Sequence, residues 1–128
     1  MERKILIADD EPHIRLLLEQ TLEELEDEGV ELLMAKNGEE ALDKIKTEVP
    51  QLVFLDVMMP KMNGFDVCKI IKKELQLQGI YIIMLTAKGQ EFDKKKGIEV
   101  GADLYMTKPF DPDEVLDKSL QIINLECN

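Results

Sequence analysis

Short runs of apolar residues alternate with longer stretches in which apolar positions recur every three or four residues, and the alternation continues along the whole chain. The short runs predict five strands, over 4–8, 31–35, 51–55, 80–85 and 103–107. Runs such as Val53-Phe54-Leu55 and Tyr81-Ile82-Ile83-Met84-Leu85 are apolar without interruption, as in strands covered on both faces of a parallel sheet. Between them, Ile14, Leu17, Leu18, Leu22 and Leu25 predict a single helix face, with Pro12 in a first turn that tolerates its missing N–H. Ala41, Leu42 and Ile45 repeat the spacing after Asn37-Gly38, Val67, Cys68, Ile71 and Leu75 after Gly64, and Val115, Ser119, Ile122 and Ile123 after Pro112. Only 91–100 is weakly patterned. Its Lys94-Lys95-Lys96 run reads as a solvated helix face, and the thin apolar stripe predicts a fourth helix that is loosely held and able to move.

Five strand–helix units predict an α/β fold, a three-layer doubly wound sandwich around a parallel five-stranded sheet with right-handed crossovers. At 128 residues, with no linker or low-complexity tract, one domain is expected over 1–128, with no output domain inside it. The longest apolar run, 80–85, is far below the roughly 20 residues of a membrane-spanning helix. Met1-Glu2-Arg3-Lys4 leads directly into Ile5 without a signal-like apolar stretch, so a cytoplasmic location is expected. Cys68 and Cys127 are far apart and lack metal-ligand spacing, which predicts buried or incidental reduced thiols. Asp and Glu number 27 against 16 Lys and Arg, for a formal charge of −11 that would repel nucleic acid and anionic lipid. Most of this acid needs no explanation beyond solubility.

The exception is acid that the fold gathers in one place. Asp9 and Asp10 follow the first expected strand, Asp56 the third, Thr86 the fourth and Lys108 the fifth. Each alone has an ordinary structural role, as a helix cap, a strand threonine or a solvated lysine. Together they converge on the carboxyl edge of the sheet, where doubly wound folds bind ligands. Three crowded carboxylates repel, and a hard divalent cation resolves that repulsion; Mg²⁺ fits because it needs only one or two direct carboxylates plus phosphate oxygens and water. Asp56 then qualifies as a nucleophile as well as a ligand, with Thr86 and Lys108 placed to meet the oxygens of an incoming phosphoryl group.

Five ordered motifs carry a family resemblance over nearly the whole chain: Asp9-Asp10-Glu11-Pro12, Asp56-Val57-Met58-Met59-Pro60 with Gly64, Leu85-Thr86-Ala87, Gly101-Ala102-Asp103 and Lys108-Pro109-Phe110. With them the chain resembles the CheY-like receiver domains of two-component response regulators. The resemblance implies a flavodoxin-like strand order 2-1-3-4-5, Mg²⁺ as cofactor, and a phosphohistidine on a sensor histidine kinase or phosphotransfer protein as donor. It implies that Asp56 is the phosphoacceptor, that Asp10 binds the metal directly and Asp9 chiefly through water, and that the Met58 carbonyl completes the protein ligands. It also implies a cis bond before Pro109 and a Thr86–Tyr105 switch acting on the surface of the fourth helix, fifth strand and fifth helix. His13 reads on its own as an exposed helix residue, and the resemblance would place it on the kinase-docking face. The Met58 side chain and Lys88 are candidates for tuning the loss of the phosphoryl group. Such a phosphoprotein assists its own phosphorylation and dephosphorylation without turning over a separate substrate. The downstream effector is left open, as is the choice between a monomer and a weak phosphorylation-dependent dimer. Gly101-Ala102-Asp103-Leu104 and Val115-Leu116-Asp117-Lys118 depart from the acidic residue and arginine of receivers that dimerise to drive a winged-helix output domain.

Two rivals share parts of this pattern. An aspartate-nucleophile phosphohydrolase of the haloacid dehalogenase type would carry Asp-x-Asp after the first strand, where this chain has Glu11 and Pro12 two residues beyond Asp9 and Asp10. A flavodoxin-like flavin carrier would need a Ser/Thr/Gly-rich phosphate loop in place of Asp9-Asp10-Glu11-Pro12.

Overall fold

The structure is a computed structural model, and it describes residues 3–87 and 91–123. Five parallel strands, β1 (Arg3–Ala8), β2 (Val30–Ala35), β3 (Leu52–Asp56), β4 (Tyr81–Ala87) and β5 (Leu104–Lys108), form one sheet in the order β2-β1-β3-β4-β5. The helices are α1 (Pro12–Thr21), followed by a short helix over Glu23–Asp27, then α2 (Gly38–Glu48), α3 (Gly64–Lys69), α4 (Glu91–Val100) and α5 (Pro112–Ile123). No described helix is long and apolar enough to cross a membrane.

Successive strand residues point to opposite faces, so each strand feeds two cores. Leu6, Ala8, Val53, Leu55, Ile82 and Met84 meet Ala41, Ile45, Val67, Cys68 and Ile71 from α2, α3 and the turn that follows α3. Ile5, Ile7, Leu52, Phe54, Ile83 and Leu85 meet Leu18, Leu22, Leu25, Val115 and Ile123 on the other face. This two-sided burial is why the central strands carry no polar alternation.

Three expected elements differ in detail. The first helical stripe is interrupted at Leu22, which has non-helical φ −98° and ψ 9°, and Leu17 is 39% exposed instead of joining the core. In the third helix, α3 passes into a π-helical stretch over Ile70–Glu74, closed by Leu75 N donating to Ile70 O at 2.8 Å. The inserted residue rotates the register. Leu75, expected on the buried stripe, is 43% exposed, while Lys72 is buried at 2%. Lys72 Nζ donates to Ile80 O at 2.6 Å and lies 2.9 Å from Asp103 Oδ2, which also accepts from Ile82 N at 2.8 Å. This network ties the turn after α3 to the amino ends of β4 and β5. Finally, β3, β4 and β5 extend further toward their carboxyl ends than the apolar runs indicate. Asp56, Thr86 and Lys108 therefore lie within the ladder, where Asp56 pairs Leu85, Thr86 pairs Thr107 and Lys108 pairs Ala87.

In α4, Ile98 is 71% exposed and Val100 is buried. Cys68 is buried, with Sγ 3.6 Å from Val100 O, and burial pushes its thiol up to about 12, leaving it unreactive. Cys127 and Lys88 lie outside the described residues.

Candidate functional site

The sheet order places β1 and β3 side by side, so the carboxyl ends of both strands deliver acids to one spot. Asp9 is fully buried and Asp56 is 6% exposed. One carboxylate oxygen from each of Asp9, Asp10, Glu11 and Asp56 fits within a mutual distance of 4.8 Å. Lys108, at the end of β5, reaches across with Nζ 2.8 Å from Asp9 Oδ2, 3.2 Å from Asp56 Oδ1 and 3.4 Å from Glu11 Oε1. The Lys108–Pro109 bond is cis.

Local structure fixes these positions. Asp9 Oδ1 accepts from Glu11 N at 2.9 Å, a two-residue turn that starts α1. Asn63 caps α3 by accepting from Asp66 N at 2.9 Å, and Gly64 N donates to Val57 O at 2.9 Å. A Cβ on Gly64 would stand 2.3 Å from Asp56 O, so only glycine lets α3 start against the end of β3.

The site's electrostatics are those of acid held out of water. Burial, then the charge of Asp9, pushes the Asp56 carboxyl up to about 7, against the opposing pull of Lys108. For Lys108, burial works to lower the ammonium's pKa, but its contact with Asp9 and the charges of Asp56 and Asp9 outweigh this and hold it above its ordinary value. Asp9 Oδ2 is fully buried, and the Lys108 ammonium at 2.8 Å is its charged neighbour. A buried carboxylate with one ammonium neighbour, beside three other carboxylates, fits a small hard cation with oxygen ligands.

The remaining sequence candidates fall as follows. Thr86 is 2% exposed on β4. Tyr105 pairs Met84 across the ladder, so it shares the sheet face of Met84 and Thr86, and it packs half-buried against the core on that face. The Met58 side chain is 74% exposed. The His13 side chain is 73% exposed, with Nε2 3.4 Å from Glu11 Oε2. Sequence reasoning treated Glu11 only as part of a motif; its ion pair with Lys108 requires a fold in which residues 97 positions apart touch. It also missed Arg15, whose Nη1 donates to Asp9 O at 2.7 Å.

Residues 5–119 match the family model described as the response regulator receiver domain. Over 115 residues the chain is 50% identical to the alkaline phosphatase synthesis transcriptional regulatory protein PhoP of Bacillus subtilis, covering 90% of this chain and 46% of that protein. It is also 50% identical over 114 residues to the probable transcriptional regulator ycf27 of Galdieria sulphuraria, covering 89% of this chain and 42% of the relative. The chain thus spans just under half the length of these curated relatives. Among solved structures, the chemotaxis response regulator CheY4 of Vibrio cholerae superposes with a TM-score of 0.78 at 36% identity, over 94% of this chain and 98% of that one. The response regulator DrrB of Thermotoga maritima, an OmpR/PhoB homolog, superposes with a TM-score of 0.82 at 32% identity, over 98% of this chain and 54% of that one. The haloacid dehalogenase alternative finds no support in these matches. With β2-β1-β3-β4-β5 topology, an acidic cluster at the carboxyl edge and a family match over nearly its whole length, the chain belongs to the response regulator receiver domains.

Proposed function

We propose that this receiver takes a phosphoryl group from the phosphohistidine of a partner kinase or phosphotransfer protein onto Asp56, with Mg²⁺ held by Asp10, Asp56 and the Met58 carbonyl, and by Asp9 chiefly through water. The observation that carries this reading is the Lys108 ammonium spanning 2.8 Å to Asp9 and 3.2 Å to Asp56 at an edge where four carboxylates come within 4.8 Å of one another. Asp56 attacks phosphorus with a carboxylate oxygen; the new O–P bond forms as the P–N bond breaks, and the departing imidazole takes up one proton from solvent to leave neutral. A bound Mg²⁺ supplies charge neutralisation of the transferring oxygens. Lys108 exchanges its contact with Asp56 Oδ1 for a phosphoryl oxygen, and the Thr86 hydroxyl donates to another. Thr86 and Tyr105 share a sheet face, so movement of Thr86 toward the phosphoryl group frees room for the ring to turn inward beside α4 and α5. Such a domain works in the cytoplasm as a stoichiometric switch that catalyses its own phosphorylation and its loss, with Met58 and Lys88 tuning water access. Its effector is a separate domain or protein, reached as a monomer or through a weak phosphorylation-dependent dimer.

The test is incubation with a small acyl phosphate and Mg²⁺, followed by intact mass measurement. Native chain gains one phosphoryl group and Asp56→Asn gains none. Gain by both, or by neither, removes Asp56 from the role.

A further inference from the structure

Asp9 and Asp10 are neighbours in sequence, yet Asp9 is buried and Asp10 exposed. The peptide between them is planar, so the direction of the Asp9 carbonyl also fixes where the Asp10 Cα and its carboxylate begin. Three bonds hold Asp9. Its N donates to Ala35 O at 3.1 Å, prolonging the β1–β2 ladder, and its Oδ1 accepts from Glu11 N at 2.9 Å within the turn. The third comes from farther away: Arg15 Nη1 donates to Asp9 O at 2.7 Å, from a residue on α1 whose own N is tied to Glu11 O at 3.2 Å.

Charge alone does not account for a guanidinium here, because a cation beside a divalent-metal site repels the metal. Core packing does not account for it either. Arg15 forms part of the wall of a pocket of about 260 Å³ shared with Lys36 and Glu40, so shortening the side chain enlarges a polar, solvent-open space and leaves the core intact. What remains is orientation.

We infer that Arg15 is a positioning residue for the metal site: by holding the Asp9 carbonyl, it sets the Asp9–Asp10 peptide plane and aims the Asp10 carboxylate at the cation shared with Asp56. The inference rests on the Mg²⁺ reading above and adds a residue that touches neither metal nor phosphoryl group. Partners that orient metal ligands are typically worth 10–100-fold in metal affinity.

Mg²⁺ binding by isothermal titration calorimetry, on the native chain, Arg15→Met and Arg15→Lys, separates the possibilities. Arg15→Met is expected to bind Mg²⁺ about tenfold more weakly. Arg15→Lys, which keeps a donor of similar reach, stays within about threefold of native. At saturating Mg²⁺, phosphorylation of Arg15→Met by a small acyl phosphate returns to within about twofold of the native rate, because only the aim of a ligand has been loosened. Urea midpoints in EDTA check folding; if Arg15→Met is unfolded, Arg15→Gln takes its place with the same expectation. Unchanged or tighter Mg²⁺ binding, the latter being what loss of a repelling charge alone would give, overturns the inference. So does a rate that stays depressed at saturating Mg²⁺. Absence of Mg²⁺ binding by the native chain would instead overturn the metal reading on which the inference stands.

Discussion

Burial and the charge of Asp9 hold the Asp56 carboxyl at about 7, so a proton competes for the oxygens that the proposed reaction would use. A cation bound as proposed would compete with that proton and favour the ionised carboxylate. The folded chain holds this proton more tightly than the unfolded chain, whose carboxyl has the ordinary value of 3.8. The contribution of Asp56 to stability in EDTA is therefore fully present below that value and is lost as pH rises from about 4 through 7, by roughly 2–4 kcal/mol. Asp56→Asn cannot ionise. Its urea midpoints in EDTA should vary less across this window and exceed those of the native chain at pH 8; parallel profiles would show that burial of Asp56 does not govern the dependence.

The elements show where sequence patterning succeeds and where it stops. Two-sided strand burial and the convergence of Asp9, Asp56 and Lys108 were legible because continuous apolar runs have few ways to be covered and polar residues punctuate their ends, whereas the strand order came only with the family resemblance. The strand ends were read short because a polar residue such as Thr86 ends an apolar run without ending the ladder. The π-helical insertion was not legible, since one extra residue leaves no trace in a stripe only a few positions long. The signal it left was Lys72, a charge interleaved among apolar helix positions and now buried against Asp103 and Ile80 O. Lys72 is far more enclosed than Asp103, whose side chain is 31% exposed. Asp103→Ala strands a buried ammonium and should cost about 2–3 kcal/mol in urea unfolding, whereas Lys72→Met keeps the apolar stem, leaves an aspartate that still accepts from Ile82 N, and should cost less than half as much. The reverse order would mean that the lysine's bond to Ile80 O dominates the network.

At the scale of the molecule, a chain of formal charge −11 concentrates its most costly repulsion at the edge where four acids meet. Binding a dication there stabilises the fold by mass action, by about 2.7 kcal/mol at a Mg²⁺ concentration 100 times the dissociation constant. Calorimetric Tm at pH 7.5 should rise with the logarithm of Mg²⁺ concentration in the native chain and much less in Asp9→Asn; equal rises would place the stabilising ion elsewhere. The close approach of Gly64 to the Asp56 carbonyl has a consequence for how the chain tolerates sequence change. In a library carrying every substitution at every position, selected for phosphorylation, position 64 should admit only its native residue, while exposed Asp66, two positions along the same helix, should accept many. The information that keeps the site working is then partly stored at a position with no side chain at all.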